Sequence, residues 1–294
     1  MPSAEWDIDE VLVRALLVDQ FPELADRSLT LLANGWDNVM YRLGDDLTVR
    51  LPRRELAVPL IDNEQRCLRL LAPRLPIPVP VPLFHGMPTD RFAMPWSICP
   101  WFPGVLAADV SFADPVVEAR RLGAFLVALH VPAPDDAPSN EWRGQDAKVL
   151  APRVAANLEI VDLDGLPTAE LLAERFAEMA DVEAHAGPPL WLHGDLHGAN
   201  MLVDDGAISA VIDFGDVTSG DPAVDLAIGW MLFDGPVLEE FRCALPHVDD
   251  AAWSRGAAWA LHFGVMYLAN SADNSRLHAL GRRVLTAVMS GEFA

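Results

Sequence analysis

Between Trp191 and Gly215 the chain reads WLHGDLHGANMLVDDGAISAVIDFG. His193, Asp195, His197 and Asn200 fall within eight residues, and Asp213 follows 13 residues after Asn200. Gly194 and Gly198 break regular structure, so HGDLHGAN reads as a loop. Strand-like NMLVDD, a turn at Asp205-Gly206 and strand-like AISAVID follow, which predicts a hairpin whose ends bring Asn200 and Asp213 together. An asparagine carbonyl and an aspartate carboxylate are hard oxygen ligands suited to Mg²⁺. Asp195, five residues before Asn200, is then free to orient a hydroxyl and accept its proton. His193 and His197 would share a metal face only on a helix, which the two glycines argue against, and no HExxH glutamate is present, so a zinc hydrolase is not implied.

Such side chains need a frame. Residues 8–19 show helical periodicity in Ile8, Val11, Leu12, Ala15 and Leu16. Ser28–Pro52 reads as β-strands, with turns at Asn34-Gly35 and Gly44-Asp45-Asp46. Leu47, Val49 and Leu51 alternate with Thr48 and Arg50, which points Arg50 away from the apolar face. Residues 58–72 read as a helix with Ile61, Leu68 and Leu71 on one stripe. Glu64 falls on the same stripe, and a carboxylate on a packing face needs a partner. LPIPVPVPLFHG is extended by its prolines. Phe92–Gly104 reads as a strand running into a linker. Helices are predicted at 115–130, 147–160 and 168–185, with a loop at 133–146. Short strands surround the quoted stretch, and helices follow at 222–232, 251–269 and 276–289. The last but one is apolar nearly all round, which suits core packing first, with its Trp and Tyr lining a substrate pocket as the alternative. No internal repeat is visible.

At 294 residues and 51% apolar, the chain can bury a large core. Its net charge of −22 argues against nucleic acid or an anionic membrane as partner and is compatible with a cationic small molecule as well as with plain solubility. Cys67, Cys99 and Cys243 are widely spaced and form no CxxC pair. No apolar run is long enough for a membrane span, and MPSAEWDIDE has no signal-peptide pattern, so a cytoplasmic protein is expected. Lys148 is the single lysine against 20 arginines. Work that usually falls to lysine falls here to arginine.

Asp-x4-Asn followed by Asp-Phe-Gly is the spacing of protein-kinase phosphoryl transfer, with His193-Gly194-Asp195 as the catalytic triplet. With HGDLHGAN, VIDFGD and the downstream SGDPAVDLA in view, the chain resembles the aminoglycoside phosphotransferase family, the small-molecule branch of the kinase-like fold, which includes macrolide phosphotransferases. The likeness covers most of the chain and is weakest over 130–190.

The resemblance implies an α+β, two-lobed protein-kinase-like fold: a small antiparallel β lobe over 1–103, binding nucleotide, and a larger mainly helical lobe over 104–294, carrying the catalytic loop and acceptor site. It implies Asp195 as catalytic base and Asn200 and Asp213 as Mg²⁺ ligands. Arg50, standing where the family has lysine, would hold phosphates and pair with Glu64, with Arg53 or Arg54 as alternatives. NGWDN (34–38) occupies the place of a nucleotide-covering loop. Cys99 guards the purine pocket, Pro100 offers its carbonyl and Phe102 its N–H. His193 supports the loop, and His197 is structural or lies near phosphate. Asp216 is on the surface or faces substrate. Asp221 caps a helix, and Asp225 helps hold the catalytic loop. The implied activity is transfer of the γ-phosphate of ATP or GTP to a hydroxyl of a cationic small molecule by a monomer, most simply an aminoglycoside-type antibiotic, with resistance as one role. Macrolides, homoserine and choline are alternative acceptors. A non-catalytic nucleotide-binding pseudokinase is the rival class, but it would not require Asp195, Asn200 and Asp213 together.

Overall fold

The computed structural model describes residues 5–35, 37–271 and 274–290. Trp36, in the middle of NGWDN, and the first four residues lie outside them. The chain divides into two units, one of 1–103 with 210–217, the other of 104–209 with 218–294.

The first unit opens with α1 (Glu10–Gln20), started by Asp9, whose side chain accepts from the Leu12 N–H at 2.8 Å. Strands β1 (Leu29–Asn34), β2 (Asn38–Leu43) and β3 (Leu47–Pro52) follow, then α2 (Val58–Leu71), β4 (Phe84–Gly86) and β5 (Trp96–Pro100). They form an antiparallel sheet in the order β1-β2-β3-β5-β4. The β2–β3 hairpin closes on Leu43 opposite Leu47, with Gly44 at φ +63° in the turn. Alternation separates the two sheet faces. Val49, Leu51, Trp96 and Ile98 join Leu16 and Leu17 of α1 in one buried core. On β3 and β5, Arg50 lies opposite Ser97 and Thr48 opposite Cys99, so these four share the other face. Gln65 of α2 donates to Ser97 Oγ and to the Trp96 carbonyl, both at 3.0 Å.

The second unit contains β6 (Val105–Leu106), α3 (Pro115–Leu129), α4 (Ala151–Leu158), α5 (Ala169–Ala180), β7 (Leu190–Leu192), β8 (Met201–Asp204) and β9 (Ala207–Val211), whose last two residues belong to the first unit. It continues with β10 (Thr218–Gly220), α6 (Ala223–Leu226), α7 (Ile228–Leu232), α8 (Gly235–Cys243), α9 (Asp250–Asn270) and α10 (Ser275–Met289). Strand β6 pairs with β8 in a three-stranded sheet completed by β9, and β7 pairs with β10. The predicted β8–β9 hairpin is present, with Asp205 at φ +49° and Gly206 at φ +78° in its turn. Helix α9 is buried along nearly its whole length. Two sequence readings are corrected. Helix α5 stops at Ala180 rather than 185, capped there by Asp181. Helix α8 was not predicted; Gly235-Pro236 at its start and Pro246 beyond it are turn signals.

No helix among the described residues is long and apolar enough to cross a membrane.

Candidate active site

In the first unit, the arginine of β3 meets the buried glutamate of α2. Arg50 Nη1 donates to Glu64 Oε1 at 2.6 Å, and both side chains are buried. Arg50 Nη2 donates to Asp213 Oδ1 at 2.5 Å. The Asn38 amide, oxygen turned inward, accepts from Arg50 Nη2 at 3.0 Å and Nε at 3.1 Å. Burial works against the guanidinium charge, but Glu64 and Asp213 outweigh it and raise the Arg50 pKa. Burial pushes Glu64 up to about 7 against the pull of Arg50, which faces it, and of the Phe214 N–H, which bonds it. Glu64 thus ties β3, α2 and the segment after Asp213 into one cluster.

Asp213 itself adopts φ +62°, ψ +62°, a left-handed conformation that costs a non-glycine residue about 1–3 kcal/mol. Its side chain is half exposed. Asp216 ends the short 3₁₀ turn Phe214–Asp216 and is partly buried. The alternatives to Arg50 are engaged elsewhere: Arg53 donates to the Gly35 carbonyl at 2.8 Å, and Arg54 pairs with Asp37. Just after β5 the Trp101 N–H bonds the Asp46 carbonyl at 2.7 Å. Pro100, opposite Leu47, therefore turns its carbonyl away from β3. The Phe102 N–H has no hydrogen-bond partner among the described residues. Cys99 is buried behind them, its thiol pushed up to about 12 by burial.

In the second unit, Asp225 is the anchor of the glycine-rich loop. Its Oδ2 accepts the His193 N–H at 2.8 Å and its Oδ1 the Gly194 N–H at 2.9 Å. His130, at the C-terminal cap of α3, adds Nε2 at 3.1 Å. Burial opposes the ionised carboxylate, yet His130, His193 and the Gly194 N–H hold Asp225 below the usual carboxylate range. Each loop histidine also accepts at Nδ1 from the N–H two residues on, His193 from Asp195 at 3.3 Å and His197 from Ala199 at 3.1 Å. Those bonds leave Nε2 as the protonated nitrogen of His197, which lies 3.5 Å from Asp195 Oδ2.

Asp195 is a quarter exposed. Asn200 Nδ2 donates to its backbone carbonyl at 2.8 Å and reaches its Oδ2 at 3.4 Å. Arg143 Nη2 donates to its Oδ1 at 3.0 Å. Burial would raise this carboxyl, but the Arg143 charge and the His197 hydrogen bond hold it well below the usual carboxylate range. Asp221 Oδ1 accepts the Ala223 N–H at 3.0 Å, which is the cap, and Oδ2 accepts Arg255 Nε at 2.6 Å, which the sequence reading missed. Arg255 stands alone in an apolar helix, and that isolation was the available signal. Arg143 and His130 were missed as well, and they carried no such signal.

The family model described as "Phosphotransferase enzyme family" matches residues 28–259. The chain belongs to this family. The phosphotransferase is 30% identical over 201 residues to viomycin phosphotransferase from Streptomyces vinaceus, a match covering 63% of this chain and 67% of that protein. It resembles the GDP complex of aminoglycoside 2'-phosphotransferase-IIIa at a TM-score of 0.74 and 19% identity, over 97% of this chain and 100% of that one. It also resembles a macrolide 2'-phosphotransferase from Brachybacterium faecium at a TM-score of 0.62 and 22% identity, over 92% and 97%. The antibiotic-kinase fold expected from HGDLHGAN and VIDFGD is therefore the fold of this phosphotransferase.

Among the described residues no three His, Cys, Asp or Glu side chains gather into a metal cage. Mg²⁺ is ordinarily held by one or two carboxylates together with substrate phosphates and water. Asp213 fits such a role, with one oxygen taken by Arg50 and a half-exposed carboxylate left to share.

Proposed function

We propose that this phosphotransferase moves the γ-phosphoryl group of ATP or GTP to a hydroxyl of an amine-bearing small molecule of the antibiotic type. The observation that carries the proposal is Asp195: a partly exposed carboxylate, fixed by neighbours on a loop that Asp225 clamps from beneath. A carboxylate so placed orients an acceptor hydroxyl and takes its proton as the phosphoryl group departs. Its depressed pKa makes it a weak base, which suits a loose transition state in which orientation matters more than early proton removal.

Arg50, held charged by Glu64, binds the donor phosphates. The Pro100 carbonyl and Phe102 N–H meet the purine edge, with Cys99 behind it. Asn200 and Asp213 would hold Mg²⁺, which when bound would neutralise phosphate charge. His193 and Asp225 keep the loop rigid, His197 steadies Asp195, Asp221 caps its helix and holds Arg255, and Asp216 faces the acceptor. In this reading 1–103 is the donor lobe and 104–294 the acceptor lobe, and the protein works in the cytoplasm as a monomer.

The net charge of −22 supports an amine-bearing acceptor, since it raises the local concentration of cations. Structures of relatives include complexes with kanamycin and with hygromycin B, and the curated relative is named for viomycin. The test is nucleotide consumption with Mg²⁺ and either ATP or GTP, against viomycin, kanamycin, hygromycin B, a macrolide, homoserine and choline. Turnover that requires one of these and yields its phosphate ester supports the proposal. Tight nucleotide binding with no turnover on any of them would favour a binding-only protein.

A further inference from the structure

We propose that Arg143 is a positioning residue for phosphoryl transfer: its guanidinium pins Asp195 at Oδ1 and leaves Oδ2 to face the incoming hydroxyl. The proposal rests on the reading of Asp195 given above. The distances separate the two oxygens. Oδ1 receives the short, charge-assisted bond from Arg143 Nη2 at 3.0 Å. Among the described residues, Oδ2 has only the long approaches of Asn200 Nδ2 at 3.4 Å and His197 Nε2 at 3.5 Å, which a substrate hydroxyl can displace.

Arg143 reaches Asp195 across 52 residues of sequence from a loop that is built to present it. The Pro138 carbonyl accepts from Thr218 Oγ1 at 2.9 Å and from the Ser219 N–H at 3.2 Å, and the Gly144 carbonyl accepts from the Asp221 N–H at 2.9 Å. The loop thus lies along β10 on both sides of Arg143. The fit is backbone on backbone: Gly144 is at φ +69°, and a Cβ on Gly220 would stand 2.2 Å from the Gly144 oxygen. From α9, the Phe263 ring backs the guanidinium at 5.3 Å. The Arg143 side chain is 15% exposed. An ordinary surface ion pair has none of this support and holds no fixed geometry. Here both the carboxylate and its partner are braced, which is what orienting a reacting hydroxyl demands.

The test compares Arg143→Ala, Arg143→Lys and Asp195→Asn with the wild-type chain in Mg²⁺-dependent phosphoryl transfer from ATP or GTP, to viomycin and to water. Arg143→Ala should lower kcat by about 10–100-fold, the scale of a misplaced reacting group, with the donor KM unchanged. Arg143→Lys should recover part of the loss, and guanidinium ion at sub-denaturing concentration should restore turnover to Arg143→Ala. Wild-type kcat in Arg143→Ala overturns the proposal. So does a loss that neither lysine nor guanidinium reverses and that follows a fall in melting temperature. Inactive Asp195→Asn beside active Arg143→Ala defeats this inference alone, whereas wild-type turnover in Asp195→Asn defeats the underlying reading of the site.

Discussion

Replacing Arg50 by alanine should injure the protein twice, and the structure sets the size of the first injury. Arg50 and Glu64 are 9% and 2% exposed, so their pair is a buried one. Removing one member of a buried pair strands the other and costs about 3–5 kcal/mol. Asp213 is half exposed, and its share of the loss is close to that of a surface pair, about 0–1 kcal/mol. Taking about 4 kcal/mol in all, and roughly 2–4 °C per kcal/mol for a domain of this size, the melting temperature should fall by roughly 8–16 °C. The second injury is to donor binding, since the cation proposed to hold the phosphates is gone. Glu64→Gln should do less: the amide keeps the volume and can still accept from Arg50, which retains Asp213 and Asn38. Arg50→Lys should stand between them, because an ammonium keeps the charge but cannot fork to Glu64 and Asp213 together. Thermal melts without ligand, then titrations with ATP or GTP in Mg²⁺, check all three variants. An Arg50→Ala protein that melts with the wild type and binds donor normally would refute the reasoning, since Glu64 would then be no buried partner and Arg50 no phosphate ligand.

Asp195→Asn should lower kcat by roughly 10²–10⁴-fold while donor binding, followed by titration, survives. Asp213→Ala should remove the Mg²⁺ dependence of nucleotide binding, and a full Mg²⁺ effect in that variant would place the ligand elsewhere. Asp225 has a lower pKa folded than unfolded, so its stabilising contribution is complete above the unfolded value of about 4 and disappears as pH falls below it. Asp225→Ala should therefore flatten the acid limb of the stability curve. It should also cost about 1–3 kcal/mol for each of the His193 and Gly194 N–H groups left buried without an acceptor, read by chemical denaturation at neutral pH.

Arg50 and Glu64 were legible in the sequence because each breaks a local rhythm. Alternation along β3 sets the arginine off the apolar face, and the apolar stripe of α2 carries one acid. The short spacing in HGDLHGAN made the loop legible in the same way, since its polar groups are neighbours along the chain. Arg143 was hidden for the opposite reason. It lies in a stretch rich in Pro and Asp, and its side chain finds Asp195 through the bonds that Thr218, Ser219 and Asp221 make to the loop carbonyls. His130 looked like the end of a helix until the fold put Asp225 against it. Helix α8 was concealed by proline and glycine at its start, where a first-turn proline is compatible with a helix and does not break it.

The segment 210–217 belongs to the first unit although it is made long after the rest of that unit. Arg50 and Asp213 are separated by 163 positions. At synthesis speeds of about 5–20 residues per second, a ribosome needs roughly 8–30 seconds to travel between them. During that interval the nascent sheet and α2 exist with a buried arginine and glutamate but without the Phe214 N–H that bonds the glutamate. The first unit therefore cannot finish folding as it emerges. It waits, with its charged cluster open on one side, for a strip of chain encoded in the second half of the gene.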